Sequence, residues 1–294
     1  MHIVLAGATG FLGSALVRRL AGDGHTLTVL TRRPRHAREA QWDPGGSPSA
    51  VVPVIQHADA VVNLAGAPIS RRWTAAHKRE MWDSRIQSTR TIVEAIKTLP
   101  KAPVLLNASA VGIYGARGDE PITEESAPGS TFLASLGREW EKEALAAASA
   151  TQVVLLRTGI ALDRSGGALP LMALPFRLFV GGPLGSGRQY LSWIHRDDWV
   201  SMVRWALTAG AISGPLNVTA PNPVRNAEFS RTIGRVLGRP SLLPVPAIAL
   251  RVAVGEMAGE LVTGQRVLPA KATDGGFVFE YPELEGALRR IYDA

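Results

Sequence analysis

Up to residue 163 the chain alternates between two hydrophobic rhythms. Short, continuous apolar runs predict strands buried on both faces: "HIVLAG" (2–7), "TLTVLTRR" (26–33), "ADAVVNLAG" (58–66), "APVLLNASAV" (102–111) and "TQVVLLRTGIAL" (151–162). Between them lie "SALVRRLAGDGH" (14–25), "HKREMWDSRIQSTRTIVEAIKTL" (77–99) and "TFLASLGREWEKEA" (131–144), which read as helices. In the second of these, Ile86, Ile92, Val93 and Ile96 mark one face. Buried strands alternating with helices make right-handed βαβ units. The expected fold class is therefore α/β, a Rossmann-type doubly wound parallel sheet.

The rhythm breaks after residue 164. "DRSGGALPLMALPFRLFVGGPLGSGRQY" (163–190) is rich in glycine and proline. "LSWIHRDDWVSMVRWAL" (191–207) returns to helix, "GPLNVTAPNPV" (214–224) is a strand and loop, and small helices follow. The chain divides into a Rossmann domain over 1–164, to which 191–221 returns, and a small C-terminal substrate lobe made of 165–190 and 222–294. That lobe is expected over the C-terminal edge of the sheet, where doubly wound folds bind ligands. The apolar segment "LLPVPAIALRVAVGEMAGELV" (242–262) is interrupted by Pro244, Pro246, Arg251 and Glu256. It reads as an amphipathic helix on a core rather than as a membrane anchor, and no uncharged apolar run reaches the roughly 18 residues of a membrane span.

Residues 7–13, "GATGFLG", stand between the first strand and the first helix. In that position Gly7 permits a sharp turn, Gly10 lets backbone amides approach a pyrophosphate, and Gly13 lets helix and strand pack closely. Thr9, Phe11 and Leu12 line the same loop, and the helix N-terminus adds unpaired N–H groups. At the end of the second strand an NAD site usually has an acidic residue for the ribose 2′-hydroxyl. Here stand Thr31, Arg32 and Arg33. Guanidinium groups suit a 2′-phosphate, so the expected cofactor is NADP(H). Leu64, Ala65 and Gly66 are expected beneath the ribose on the nicotinamide side.

Composition narrows the function classes. With 294 residues, 46% of them hydrophobic, the chain can bury one large α/β domain and a small lobe. The net charge is +7, with a pI near 10.2. This suits an anionic partner, or simply an arginine-rich composition, since the arginines form no long basic tract. Without clustered aromatic and basic residues, nucleic acid is not an expected partner. Zero cysteines leave no disulfide or thiolate and fit a cytoplasmic location. The start "MHIVLAGATG" is a strand and lacks the pattern of a signal peptide. No His/Asp/Glu cluster stands at metal-ligand spacing.

These elements resemble the extended short-chain dehydrogenases/reductases. "NLAGAPISRRW…KREMWDSRIQSTR", "SAVGIYG", "LPFRLFVGGPLGSGRQYLSWIHRDD", "NVTAPNPVRNAEF" and "LLPVPAIALRVAVGEMAGELVTGQRVLP" narrow the likeness to the atypical "epimerase family" branch with its own C-terminal tail domain. The resemblance covers nearly the whole chain. It implies NADP(H) binding and an oxidoreductase or epimerase activity on a small polar substrate, and it names no reaction. In the superfamily the helix after the fifth strand carries a tyrosine, a lysine four residues later, and a glutamate four residues after that. If Glu141 fills the last slot, the others hold Leu133 and Gly137, and a shift by one gives Phe132 and Leu136. None of these moves a proton. The chain is then either an enzyme using other groups or a non-catalytic NADP(H)-binding sensor or regulator.

The remaining candidates follow from the same alignment of motifs. Ser109 is the hydroxyl nearest the superfamily's serine slot, which by strict count falls on Ala110. Tyr114 is a candidate displaced phenol, and His195 a candidate proton carrier, although a structural role fits it too. Asp197 or Asp198 is expected to cap the following helix. Arg85 stands where the superfamily has asparagine and is expected at the cofactor, with Glu80 hydrogen-bonding a ribose or pairing with Arg85. Arg188, flanked by Gly185 and Gly187, is expected to grip an anionic small-molecule substrate, and Asn217 to order the loop after it.

Overall fold

The computed structural model describes the whole chain except residues 211, 247, 249, 252–254 and 294. In chain order the strands are β1 (His2–Ala6), β2 (Thr26–Thr31), β3 (Glu39–Gln41), β4 (Ala60–Asn63), β5 (Val104–Ala110), β6 (Pro121–Ile122) and β7 (Val153–Thr158). They continue as β8 (Ile160–Asp163), β9 (Gly166–Gly167), β10 (Tyr190–Leu191), β11 (Trp193–His195), β12 (Gly214–Val218), β13 (Val224–Arg225) and β14 (Arg266–Val267). The helices are α1 (Phe11–Gly22), α2 (Val52–Ile55), α3 (Ala75–Lys97), α4 (Phe132–Leu145), α5 (Leu169–Arg177), α6 (Arg196–Thr208) and α7 (Asn226–Val236), with short ones at Met257–Val262 and Ala270–Asp274 and a last one at Leu284–Asp293.

Seven strands form one sheet in the order β12-β7-β5-β4-β1-β2-β3, with every neighbouring pair parallel. Both faces are covered, which explains why the strands are continuous apolar runs. Ile3 and Leu5 pack with Leu16 and Leu20 of α1 and with Trp199 and Val203 of α6. Val4 and Ala6 point the opposite way, toward Ile92 and Ile96 of α3 and Ala144 of α4. α3 begins two residues before the stretch read as helical, because the Thr74 side chain accepts the His77 N–H and caps it.

A third core holds the lobe together. Phe176 of α5, Phe229 and Ile233 of α7, Trp193 of β11, and Leu284, Leu288 and Ile291 of the last helix share it. The Ala270–Asp274 helix does not: Ala272 packs with Trp199 and Val203 in the first core, with Phe277 and Phe279 against it. The C-terminal segment therefore straps the lobe to the sheet.

The strand order reverses between β1 and β4, and this opens the crevice that doubly wound folds use for ligands. Gly7 sits at its lip with φ +75°, where an added Cβ would come 2.5 Å from the Leu64 carbonyl carbon. A Cβ on Gly13 would lie 2.3 Å from the Gly7 carbonyl oxygen and 2.7 Å from the Ala8 Cα, both of them backbone. By contrast Gly22, in the last turn of α1, faces open space. Gly13→Ala should therefore lower stability by about 1–3 kcal/mol through overpacking, whereas Gly22→Ala should be neutral or raise it by up to about 1 kcal/mol. Urea unfolding midpoints of the two variants test the contrast.

Candidate functional site

The crevice is built around the start of α1. Gly10 is the N-cap residue and offers no side-chain cap, so the first N–H groups of the helix have no partner within it. Its own N–H bonds the Gly7 carbonyl at 3.1 Å, which closes the turn. Thr9 and Gly10 are exposed, and the only atom within 4 Å of a Cβ built on Gly10 is the Gly7 oxygen at 3.3 Å. The space above is open to a phosphate. Phe11 and Leu12 are half-buried, and the Phe11 ring packs on Gly166 and Gly167 of the β8–β9 hairpin, where either glycine's Cβ would come within 2.8 Å of it. That contact ties the cradle to the entry of the lobe.

Thr31 ends β2, and Arg32 and Arg33 follow it in full exposure. The Arg33 N–H donates to Thr31 Oγ1 at 3.4 Å. On the other side of β1, Asn63 is fully buried. It donates to Asn107 Oδ1 at 2.8 Å and Thr89 Oγ1 at 3.1 Å, and its own Oδ1 accepts the Ala65 N–H at 3.2 Å. Trp140 of α4 donates to the same Thr89 oxygen at 2.9 Å. This network shapes the Leu64–Gly66 turn. Only the "VVNLAG" motif hinted at it, because its partners lie on β5, α3 and α4.

Arg85 lies beside that turn, with its guanidinium carbon 3.1 Å from where a Gly66 Cβ would be. It donates to the Met81 carbonyl at 3.0 Å and stacks 5.1 Å from the Trp140 ring. It has no carboxylate partner among the described residues, and burial lowers its pKa to about 10. Glu80, expected at Arg85 or at a ribose, does not pair with Arg85 and accepts from His77 Nδ1 at 3.0 Å.

The slots of the missing pair are filled by packing. A Cβ on Gly112 would meet the Leu133 side chain at 3.1 Å, and one on Gly137 would meet Ile113 at 3.0 Å. A lysine at 137 would have to displace the 111–114 turn. Phe132, Leu133, Trp82 and Met257 surround a small core of Trp73, Met81 and Leu136, so this wall of the crevice is apolar.

Ser109, Tyr114 and His195, the expected proton carriers, are each buried and hydrogen-bonded to the protein's own groups. The Ser109 hydroxyl donates to Glu141 Oε1 at 2.6 Å, and Glu141 is clamped by Arg157 through Nε at 2.8 Å and Nη2 at 2.7 Å. Arg157 also donates from Nη1 to the Tyr114 oxygen at 2.8 Å, and the Tyr114 hydroxyl donates to Asn217 Oδ1 at 2.7 Å. Asn217 in turn donates to the Leu268 carbonyl at 2.9 Å. All five side chains are buried. Burial raises the pKa of Tyr114 despite the adjacent guanidinium. Burial opposes the charge on Arg157, but the hydrogen bonds and charge of Glu141 outweigh it and hold Arg157 protonated. The sequence signal for this network was an arginine inside the apolar run "VVLLRT".

His195, not Asp197 or Asp198, caps α6: its Nδ1 accepts the Asp197 N–H at 3.1 Å. Its ring lies 4.0 Å from that of Tyr281, and burial lowers its pKa below 6.5. Asp198 instead accepts the Glu280 and Tyr281 N–H groups at 2.8 and 2.9 Å, anchoring the C-terminal strap.

Arg188, expected to grip a substrate, is exposed, and its carbonyl accepts from Arg225 at 2.5 Å. Arg225 stacks on the Tyr190 ring at 4.7 Å, Arg266 lies over the same ring at 5.6 Å, and Asp119 binds Arg225 at 2.9 Å. The sequence pointed to Arg188 alone. Arg225 and Arg266 join it only because β10 pairs with β13 and β14 runs close by.

Residues 3–219 match the model of the NAD dependent epimerase/dehydratase family. The chain belongs to that family. Residues 245–291 match a domain of unknown function, DUF1731. Among epimerase family relatives, the chloroplastic SDR39U1 homolog of Arabidopsis thaliana is 44% identical over 99% of this chain and 86% of its own length. The crystal structure of human epimerase family protein SDR39U1 with NADPH superposes with a TM-score of 0.92 at 34% identity, covering 100% of this chain and 99% of that one. The nucleoside-diphosphate sugar epimerase from Corynebacterium glutamicum gives 0.82 at 32% identity, covering 99% of this chain and 58% of that one. No helix of the described residues is long and apolar enough to cross a membrane.

Two measurements test the structural assignments. Arg157→Ala strands Glu141 without its cation and should cost about 3–5 kcal/mol, read as a fall in the urea midpoint. Because folding lowers the His195 pKa, the unfolded chain takes up that proton first as pH drops. The stability contributed by the neutral ring is complete above about pH 6.5 and is lost as pH falls through the folded value. His195→Asn should keep the cap while flattening the pH dependence of stability below pH 6.5.

Proposed function

We propose that this family member is an NADP(H)-dependent oxidoreductase or epimerase acting on a small anionic substrate, without the tyrosine–lysine pair. Gly7, Gly10 and Gly13 would hold the pyrophosphate and Arg32 and Arg33 the 2′-phosphate. The unpaired Arg85 would lie near the ribose on the nicotinamide side and supply part of the positive charge that the missing lysine would have provided. The NADPH in the human relative's structure supports the same choice. The bound cofactor would supply or accept the hydride.

The observation that carries the substrate reading is that Arg225 and Arg266 lie over the Tyr190 ring and, with Arg188, act on the single carboxylate of Asp119. Guanidinium groups gathered this way suit a phosphate or carboxylate. Ser109, Tyr114 and His195 are held in buried hydrogen bonds with the protein's own groups, which favours solvent or the substrate's own groups as partners of the proton. The apolar fill at Leu133 and Gly137 favours a second reading, a cofactor-binding regulator that performs no turnover. A cytoplasmic location fits the cysteine-free chain.

The test is a titration with NADPH and NADH read by nicotinamide fluorescence, followed by a panel of carbonyl compounds and nucleotide sugars. Preferential NADPH binding with turnover supports the enzyme, and binding without turnover on any member supports the regulator. Each lost charge-assisted contact costs about 1.5–3 kcal/mol, so the double variant Arg32→Ala, Arg33→Ala should weaken NADPH binding at least tenfold and leave NADH binding little changed.

A further inference from the structure

α5 and the segments beside it carry an apolar surface left open to water. Leu169, Ala173 and Phe176 face the lobe core, while Leu171, Leu174 and Leu178 recur at helical spacing on the outer side. Phe179 and Val180 extend that stripe, and Leu242, Leu243 and Ile248 continue it across the adjoining segment. Leu178, Phe179 and Leu242 keep 62%, 60% and 78% of their surface exposed.

The two segments are one surface, because the Leu243 N–H bonds the Gly181 carbonyl at 3.4 Å and the Val245 N–H bonds Pro183 at 2.8 Å. Phe179 is the one non-glycine residue with positive φ among the described residues, at +63°. The chain thus keeps a large ring in solvent on a backbone conformation that side chains rarely adopt. The segment read from sequence as a helix covered by a core is partly on the outside.

The two segments that form this patch carry charge of one sign. No acidic residue occurs from Arg164 to Arg196, nor from Phe229 to Gly255, whereas each stretch carries four arginines. Arg196 and Arg235 are bound to Asp163 and Glu285. Arg177 and Arg239, at the patch, have no carboxylate partner among the described residues and rest on the rings of Tyr292 and Phe179, at 5.8 and 4.5 Å.

An apolar patch this continuous calls for a cover. A second copy meeting it face to face would set arginine against arginine across the two-fold axis. An anionic bilayer satisfies both features, since the leucines and Phe179 enter the acyl boundary and the guanidinium groups meet phosphates. We infer that the protein docks on anionic phospholipid surfaces through the outer face of α5 with residues 178–180, Leu242, Leu243 and Ile248. It lies in the interface without spanning it. The net charge of +7 adds long-range attraction.

The test is flotation of the full chain with vesicles of phosphatidylcholine alone or containing about 30% phosphatidylglycerol. The anionic vesicles should carry most of the protein at low salt and the neutral ones little. Leu174→Gln with Leu178→Gln, and separately Arg177→Gln with Arg239→Gln, should each lower the partition coefficient about tenfold or more. NADPH affinity and melting temperature should stay as in wild type, which shows that the variants are folded. No flotation with either vesicle would overturn the inference, as would flotation unaffected by both variants. So would a wild-type dimer in dilute solution that Leu174→Gln, Leu178→Gln converts to monomer.

Discussion

A guanidinium buried among apolar strands must be paired, and the pairing of Arg157 with Glu141 organises the centre of this protein. Arg157 sits in β7, the middle of the sheet's second half, and Glu141 reaches it from α4. Once that pair forms, the remaining donors and acceptors need partners as well. Ser109 from β5, Tyr114 from the following turn, and Asn217 from β12 supply them. Leu268 then fastens the C-terminal segment to the same chain of bonds. Glu124 joins it too, accepting the Asn217 and Lys271 N–H groups. Removing a member would leave a charge or dipole in a medium that solvates it poorly.

This network also explains how the crevice differs from a standard dehydrogenase site. The Ser109 and Tyr114 hydroxyls both donate within the network, and the pair slots are filled by Leu133 and Gly137 packed on the 111–114 turn. Positive charge is what the site retains. Arg32 and Arg33 follow β2, Arg85 lies beside the Leu64–Gly66 turn, and Arg225 and Arg266 gather at Tyr190, two residues after Arg188. Arg32, Arg33 and Arg188 are exposed and cost little to keep charged. Arg85 is the exception, since burial without a carboxylate lowers its pKa to about 10. With no acid partner among the described residues, this buried cation would, in the proposed function, meet a ligand's negative charge.

What could be read from the sequence follows a physical rule. Strand runs such as "HIVLAG" announce themselves because both sheet faces are buried, and the "GATGFLG" turn does so because only glycine fits where its Cβ would strike backbone. These features depend on a few consecutive residues, and the parallel sheet, the crevice and the basic end of β2 followed from them. His195 shows where this stops. A histidine before two aspartates reads as a proton carrier followed by a capping acid. Only the fold reveals that its own ring nitrogen caps α6, while Asp198 is turned toward residues 280 and 281.

The chain's own pattern therefore determined the alternation of elements, the dinucleotide cradle and the absence of a phenol–ammonium pair, because each is set by local backbone geometry or by residue identity. Tertiary structure decided the rest. Ser109, Glu141 and Arg157 are spread along the chain and meet only because β5, β7 and α4 are neighbours in the sheet and its covering layer. Arg225 and Arg266 join Arg188 through strand pairings that no local periodicity encodes. The face of α5 left in water was likewise chosen by which side the lobe core could cover, since an apolar stripe in a sequence carries no mark of whether anything will pack against it.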